Sequence, residues 1–185
     1  MGLENRTILS TFGLISPNKG IEYTIRALPK VVKKFPNVLY LILGITHPVV
    51  RKNAGESYRN KLQKDVARLK LKNHVKFYNK YLTLEELVQF LKATDIYIAP
   101  GWDLNQSVSG TLSYALGCGR PAISTETTYA KHLLTKESGA LVKPKNSKEI
   151  SHELNRLLAD PKKLKSMSAT AYEKTRPMTW SNVAR

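Results

Sequence analysis

What the sequence lacks narrows it first. A single cysteine, Cys118, occurs in 185 residues, so no internal disulfide can form and a disulfide-stapled secreted scaffold is excluded. No apolar run approaches the roughly 20 residues that a membrane-spanning helix needs, and Met1-Gly-Leu-Glu4 lacks the apolar stretch of a signal peptide. A reducing cytoplasm is the expected compartment. Metal-ligand spacings are missing, and so are a Gly-x-Ser-x-Gly elbow, a Walker lysine motif and a tight Gly-x-Gly-x-x-Gly turn, so no metal site is expected. There are no repeats, no Arg-Gly tract and no aromatic ladder for stacking bases. Carboxylates are scarce where it matters: none lies between Glu22 and Glu56, and none between Asp103 and Glu126.

Those two acid-free stretches lie in a chain of formal net charge +16, and positive potential there suits an anion such as phosphate. Lysines and arginines fall mostly on presumed helices (Lys30, Lys33 and Lys34, or Lys61, Lys64, Arg68, Lys70 and Lys72), where they read as solvated faces. With 42% hydrophobic residues the chain can bury one full core, and it is expected to be one domain. It stops soon after Trp180 without a terminating element, and is expected to be a piece of a longer protein.

The chain is organised around Gln106-Ser-Val-Ser-Gly-Thr-Leu-Ser-Tyr-Ala-Leu-Gly-Cys-Gly-Arg-Pro121. Ser107 or Ser109 can cap a helix here, and Gly110 lets a ligand approach the backbone, so the free N–H groups of the first turn face outward. Gly119 and Pro121 stop that helix. Leu112, Ala115 and Leu116 recur at helical spacing, and the flanking segments, Asp95 to Pro100 and Pro121 to Thr125, read as buried strands. A strand–loop–helix–strand unit of this kind opens its ligand crevice at the carboxyl ends of its strands.

The same alternation runs along the chain. Arg6 to Phe12 reads as a strand, Gly13 to Gly20 as a polar loop ending near Lys19, and Ile21, Ile25, Leu28, Val32 and Phe35 as a helical stripe that Pro29 kinks and Pro36 ends. Val38 to Leu43 is a continuous apolar run, read as a parallel strand buried on both faces, with Gly44 to Pro48 as its crevice loop and His47 as a candidate ligand contact. Tyr58, Leu62, Val66, Leu69 and Leu71 predict a helix, Val75 to Tyr78 a strand, and Asn79, Lys80 and Tyr81 its loop. Thr83 and Glu86 have capping-box spacing ahead of Leu84, Leu87, Val88 and Leu91. Beyond the central unit come a short helix (Tyr129 to Leu134), a strand (Gly139 to Val142) and two helices, one at capping spacing from Asn146 to Leu158 and one from Pro161 to about Thr175. Strands and helices alternating throughout predict an α/β fold: a doubly wound, mainly parallel sheet flanked by helices.

Seven pieces, in this order, carry a resemblance: Phe12 to Gly20 (Phe-Gly-Leu-Ile-Ser-Pro-Asn-Lys-Gly), Leu41 to Gly44, Val75 to Phe77, Ala93 to Pro100, Tyr114 to Pro121, Gly139 to Val142, and Thr179-Trp180. Together they make the sequence similar to the C-terminal, donor-binding half of retaining GT-B glycosyltransferases of family four. The resemblance implies that residues 1–185 are a nucleotide-sugar-binding, Rossmann-like half, with the N-terminal acceptor half absent from this chain. It implies transfer of a sugar from a UDP-sugar or GDP-sugar to a glycan or lipid-linked acceptor, without a cofactor.

In that family a Gly-Arg, short loop, Lys-Gly motif holds the donor pyrophosphate. Lys19 matches the lysine, while Leu14 stands where the arginine would be. Two glutamates with seven residues between them bracket the helix start, one near the sugar and one near the ribose; here those positions are Gln106 and Tyr114. Ser109, Gly110 and Thr111 replace the glycine-rich loop whose amides contact phosphate. The resemblance therefore casts Lys19 and Gln106 as catalytic, Lys19, Ser109, Gly110 and Thr111 as diphosphate-binding, Gln106, Tyr114 and His47 as sugar- or ribose-binding, and Tyr78, Asn79 and Tyr81 as base-binding. The resemblance further implies a retaining reaction in which the leaving diphosphate itself can take the acceptor proton, so that stabilising its charge is the main task, worth roughly 3 to 4 kcal/mol per donor. Gly-x-Thr-His-Pro, Gly-Glu-x-Tyr-Arg (Gly55 to Arg59) and Gln-x-x-Ser-Gly-Thr resemble a bacterial branch sharing these substitutions. Peripheral contact with an anionic membrane at the inner face is a further expectation, and nucleic acid is not expected as a partner. Two alternatives stay open: a nucleic-acid-binding α/β module, suggested by charge alone, and a domain that binds a nucleotide sugar without transferring it.

Overall fold

The computed structural model describes residues 3–179 and 182. Six strands form one sheet in the order β3-β2-β1-β4-β5-β6, with every neighbouring pair parallel. They are β1 (Thr7–Phe12), β2 (Val38–Leu43), β3 (Val75–Tyr78), β4 (Ile96–Ala99), β5 (Ala122–Thr125) and β6 (Gly139–Val142). The helices between and after them are α1 (Ile21–Val32), α2 (Pro48–Ala54), α3 (Ser57–Arg68), α4 (Leu84–Lys92), α5 (Gly110–Gly117), α6 (Thr128–Leu133), α7 (Ser147–Leu158) and α8 (Pro161–Thr175). This is the doubly wound α/β architecture the alternation predicts.

Side-chain alternation along each strand explains the two layers of core. Tyr40 and Ile42 of β2, with Ile96 and Ile98 of β4, pack under α1, α3 and α7. Tyr97 and Ala122 face the other way, against α4, α5 and α6. Leu39, Leu41 and Leu43 pack with Phe90 of α4. Every residue of β2 is buried, which is why it reads as an unbroken apolar run rather than an alternation. Among the described residues no helix is long and apolar enough to cross a membrane.

Strand order reverses between β1 and β4, so the loops leaving their carboxyl ends diverge and open a crevice. Beneath it a polar chain crosses three strands: the Tyr40 hydroxyl donates to Thr11 Oγ1 at 2.7 Å, and Thr11 Oγ1 donates to the Ile98 carbonyl at 2.6 Å. Beside it the loops after β1 and β2 touch. Gly44, at φ +130, lies where a Cβ would stand 2.0 Å from the Gly13 carbonyl oxygen, so only glycine fits.

Two expectations are corrected. The segment after Gly44-Ile-Thr-His is not only a crevice loop: Pro48–Ala54 forms α2, capped by His47 and ended by Gly55. It buries no residue, so no apolar stripe announced it. α1 ends at Val32 rather than carrying Phe35, whose N–H still closes on the Val31 carbonyl at 2.9 Å. Of the two serines that could cap α5, Ser109 does so. The Thr83–Glu86 capping box forms as its spacing predicts. Trp180 lies outside the described residues.

Candidate functional site

A cleft sits at the switch point, lined by Lys19, Gln106, Ser109 and Thr111 together with Tyr97 and Thr125. Four residues singled out from the sequence, on two segments some 90 positions apart, thus meet in one place. Lys19 ends a turn of 3-10 helix, Pro17–Lys19, that leads into α1. Burial holds its ammonium pKa below the usual lysine value, and among the described residues it forms no ion pair. A half-desolvated cation without a carboxylate is electrostatically incomplete, and an anionic ligand would complete it.

Opposite stands the start of α5. Ser109 Oγ accepts from the Leu112 N–H at 3.4 Å and lies 3.3 Å from Thr111 Oγ1. The cap leaves the first N–H groups of the helix unspent. At Gly110 a Cβ would meet nothing within 4 Å, so the backbone there is open to a ligand. Beneath, Tyr97 is buried with its hydroxyl pKa pushed up to about 12, chiefly by burial, while it bonds the Thr111 side chain. It is therefore a neutral prop for Thr111, not an acid.

An adjoining apolar cavity of about 320 Å³ shares Phe12 and Thr111 with the cleft, and its further lining includes Leu14, Ile45, Tyr81, Leu82 and Leu87. Leu14, standing where the resemblance would place an arginine, contributes hydrocarbon to this wall. Of the base candidates, Tyr81 lines the cavity and is 73% exposed. Tyr78 instead sets its ring edge-on to Phe90, with centroids 4.9 Å apart, and Asn79 is exposed; neither lines the cavity.

Tyr114 and His47 also lie outside both cavities. Tyr114 projects from the exposed side of α5, 48% accessible. His47 caps α2, its Nδ1 accepting from the Val49 N–H at 3.2 Å, while its backbone N–H donates to the Ile15 carbonyl at 2.8 Å. The Gly-Glu-x-Tyr-Arg segment likewise acts as a buckle. Arg59, 4% exposed, donates to the Gly44 carbonyl at 2.8 Å and to Glu56 at 3.2 Å. The Glu56 pKa is lowered first by its hydrogen bond from Thr46, then by Arg59, and Tyr58 donates to Glu22. Arg59→Ala would strand the Gly44 carbonyl without its donor and leave a space beneath the β2 loop. A loss of about 3 kcal/mol in unfolding free energy is expected by urea titration, and an unchanged midpoint would refute the buckle.

Trp102, Ser124 and Thr125 carry no mark in the sequence. Thr125 and Ser124 end β5, and their only signal is that position at a carboxyl strand end, which the order of strands alone makes meaningful.

Fold and site together define a doubly wound α/β domain whose switch-point crevice offers an anion one cation and one helix start. Residues 3–174 match the model of the family described as Glycosyl transferases group 1, and the chain belongs to that family. The D-inositol 3-phosphate glycosyltransferase of Streptomyces bingchenggensis is 27% identical over 188 residues, covering 100% of this chain and 40% of that protein. A GDP-mannose-dependent monoacylated alpha-(1-6)-phosphatidylinositol monomannoside mannosyltransferase of Corynebacterium glutamicum is 28% identical over 158 residues, covering 83% of this chain and 38% of its own length. The chain thus spans about two fifths of these relatives. In fold it resembles Anabaena HepE, solved in complex with UDP and glucose, at TM-score 0.85 and 22% identity over 99% of this chain and 46% of that one. It also resembles the C-terminal domain of the Francisella tularensis group 1 glycosyl transferase LpcC, at TM-score 0.80 and 20% identity, covering 96% and 87% of the two chains.

Proposed function

We propose that this chain is the donor-binding half of a retaining glycosyltransferase, and that the cleft between β1 and β4 takes the diphosphate of a UDP-sugar or GDP-sugar. The observation that carries the reading is the unpaired, half-desolvated ammonium of Lys19 facing the open start of α5 across one cleft. Lys19 supplies a point charge, and the N–H groups of Gly110 and Thr111 supply oriented dipoles. Both act on negative charge that grows on the leaving diphosphate as the glycosidic bond breaks, and neither needs to give or take a proton. The diphosphate oxygen so released accepts the proton of the attacking hydroxyl. Gln106 hydrogen-bonds a sugar hydroxyl without adding charge. The apolar cavity beside Tyr81 and Leu82 accommodates the base, and its proximity to the cleft through Phe12 and Thr111 supports this assignment. The acceptor, a glycan or a lipid-linked glycan, binds a second half outside these 185 residues, in keeping with relatives of which this chain spans about two fifths. A cytoplasmic site at the inner face of the membrane suits such an acceptor.

A panel of nucleoside diphosphates, their sugars and the nucleosides in thermal-shift experiments tests the reading. A ligand at a hundred times its dissociation constant stabilises by about 2.7 kcal/mol. Gly110→Val should abolish most of that shift while leaving the circular dichroism unchanged, because the added side chain meets open space in the protein and obstructs only the ligand. No shift with any diphosphate would overturn the donor site. A nucleic-acid-binding role would show itself instead by affinity for a polynucleotide that collapses steeply with salt.

A further inference from the structure

The turn carrying Lys19 has an unusual footing. None of Pro17, Asn18 and Lys19 is buried, so core packing does not hold it. Its outer carbonyls are held by a tryptophan from the loop after β4. Trp102 Nε1 donates to the Pro17 carbonyl at 2.9 Å, and the Trp102 backbone N–H donates to the Asn18 carbonyl at 3.1 Å. Trp102 is 40% exposed, so burial of its ring does not explain its presence; both its donors are committed to this one turn.

The loop that bears it is anchored on either side. The Pro100 carbonyl presses on Gly20, where a Cβ would stand 2.2 Å from its oxygen, and Gly20 itself sits at φ +63. The Gly101 carbonyl accepts from the Thr125 hydroxyl. The Lys145 ammonium lies 4.9 Å from the centre of the indole ring, a cation–π contact that steadies the ring from outside. The turn is therefore fastened to the β4 loop and, through it, to β5. That β4 loop runs on to Gln106 and Ser109 on the opposite wall of the cleft.

We propose that Trp102 is a positioning residue for Lys19: its two N–H groups clasp the turn and fix where the ammonium stands relative to the start of α5. The inference rests on the donor-site reading above and adds a residue to it. Without the clasp, the turn keeps its own bonds, from the Lys19 N–H to the Ser16 carbonyl at 3.0 Å, from the Gly20 N–H to the Pro17 carbonyl at 3.1 Å and from the Ser16 hydroxyl to Asn18 Oδ1, and the packing of Gly20 on the Pro100 carbonyl, but no donor from the β4 loop holds its carbonyls. The ammonium would then move outward into water, where its attraction for phosphate is screened.

Trp102→Phe keeps a ring for Lys145 and removes the indole donor. The unsubstituted 185-residue chain is titrated with UDP and GDP by calorimetry, and the tighter of the two and its nucleoside are carried forward. Trp102→Phe should weaken the diphosphate about three- to tenfold, the size expected for the loss of one hydrogen bond, and leave the nucleoside unchanged. In a Lys19→Ala background the same change should alter diphosphate affinity less than about twofold. The alkaline limb of the pH profile is the second readout. The Lys19 ammonium pKa is held low by burial, so binding fades as pH rises through that lowered value. Loosening the turn should return the lysine to water and move the fade to higher pH, which a general loss of stability would not do. Lys145→Ala, which leaves both clasping bonds intact, should change affinity less than about twofold. If Trp102→Phe does not fold, Trp102→Tyr takes its place. Equal losses with and without Lys19, or no loss at all, would overturn the positioning role while the donor site stands. Failure of the unsubstituted chain to bind either diphosphate would overturn the donor site itself.

Discussion

Lys19→Ala is expected to weaken binding of a nucleoside diphosphate by about ten- to a hundredfold, while affinity for the matching nucleoside changes little. The substitution removes a charge-assisted hydrogen bond, worth roughly 1.5 to 3 kcal/mol, and nothing nearby can replace it, since among the described residues no arginine or second lysine lines the cleft. Burial lowers the pKa of the ammonium, and this sets the direction of the pH dependence. Diphosphate affinity should be full at pH values well below the lowered pKa and should decline as pH rises through it, earlier than for a solvated lysine. Titration calorimetry across alkaline pH reads both effects. Equal losses for diphosphate and nucleoside would remove Lys19 from the phosphate site.

The second large effect concerns turnover. Residues 1–185 are expected to bind the donor yet transfer no sugar at a measurable rate. Among the described residues the chain has one sheet and one switch point, so nothing in them faces the cleft to seat an acceptor or to keep water from the anomeric carbon. Orientation of two reactants contributes roughly 7 to 11 kcal/mol to lowering a barrier, and that contribution is absent when only the donor is held. Incubating the chain with the diphosphate sugar that stabilises it and a panel of acceptors, with product followed by mass spectrometry, checks this. Transfer at a rate of about 1 per second, ordinary for an enzyme, would falsify the two-half reading.

Much of the fold is legible in the sequence because the local signals agree with the tertiary ones. β2 reads as a strand buried on both faces because it is one, and α4 announces itself by a capping box that forms. α2 escapes because a helix that buries nothing leaves no apolar stripe; only His47-Pro48 at its start and Gly55 at its end hint at it. At the site, Lys19, Gln106, Ser109 and Thr111 are legible as loop and cap residues at carboxyl strand ends. The resemblance, not the spacing, casts Tyr114 as a ribose contact; it stands on the exposed side of α5, outside both cavities. His47 is spent on a cap. Thr125 is marked only by its place at a carboxyl strand end, and Trp102 not at all, since their contacts arise from β4 lying beside β1 and β5, a matter of strand order rather than of sequence neighbourhood.

The buried chain from Tyr40 through Thr11 to the Ile98 carbonyl gives the cleft floor a fixed polarity. A hydroxyl has one proton, and that of Thr11 is already given away. Thr125, which also lines the cleft, gives its proton to the Gly101 carbonyl, and Ser124 gives its proton to the Thr125 carbonyl at 3.0 Å. All three hydroxyls therefore meet a ligand with lone pairs only. An anion pressed onto that floor would find repulsion, whereas a sugar or ribose hydroxyl would find acceptors already aligned. A donor bound as proposed would therefore keep its phosphates at the rim, where Lys19 and the start of α5 stand, and set its hydroxyls on the floor.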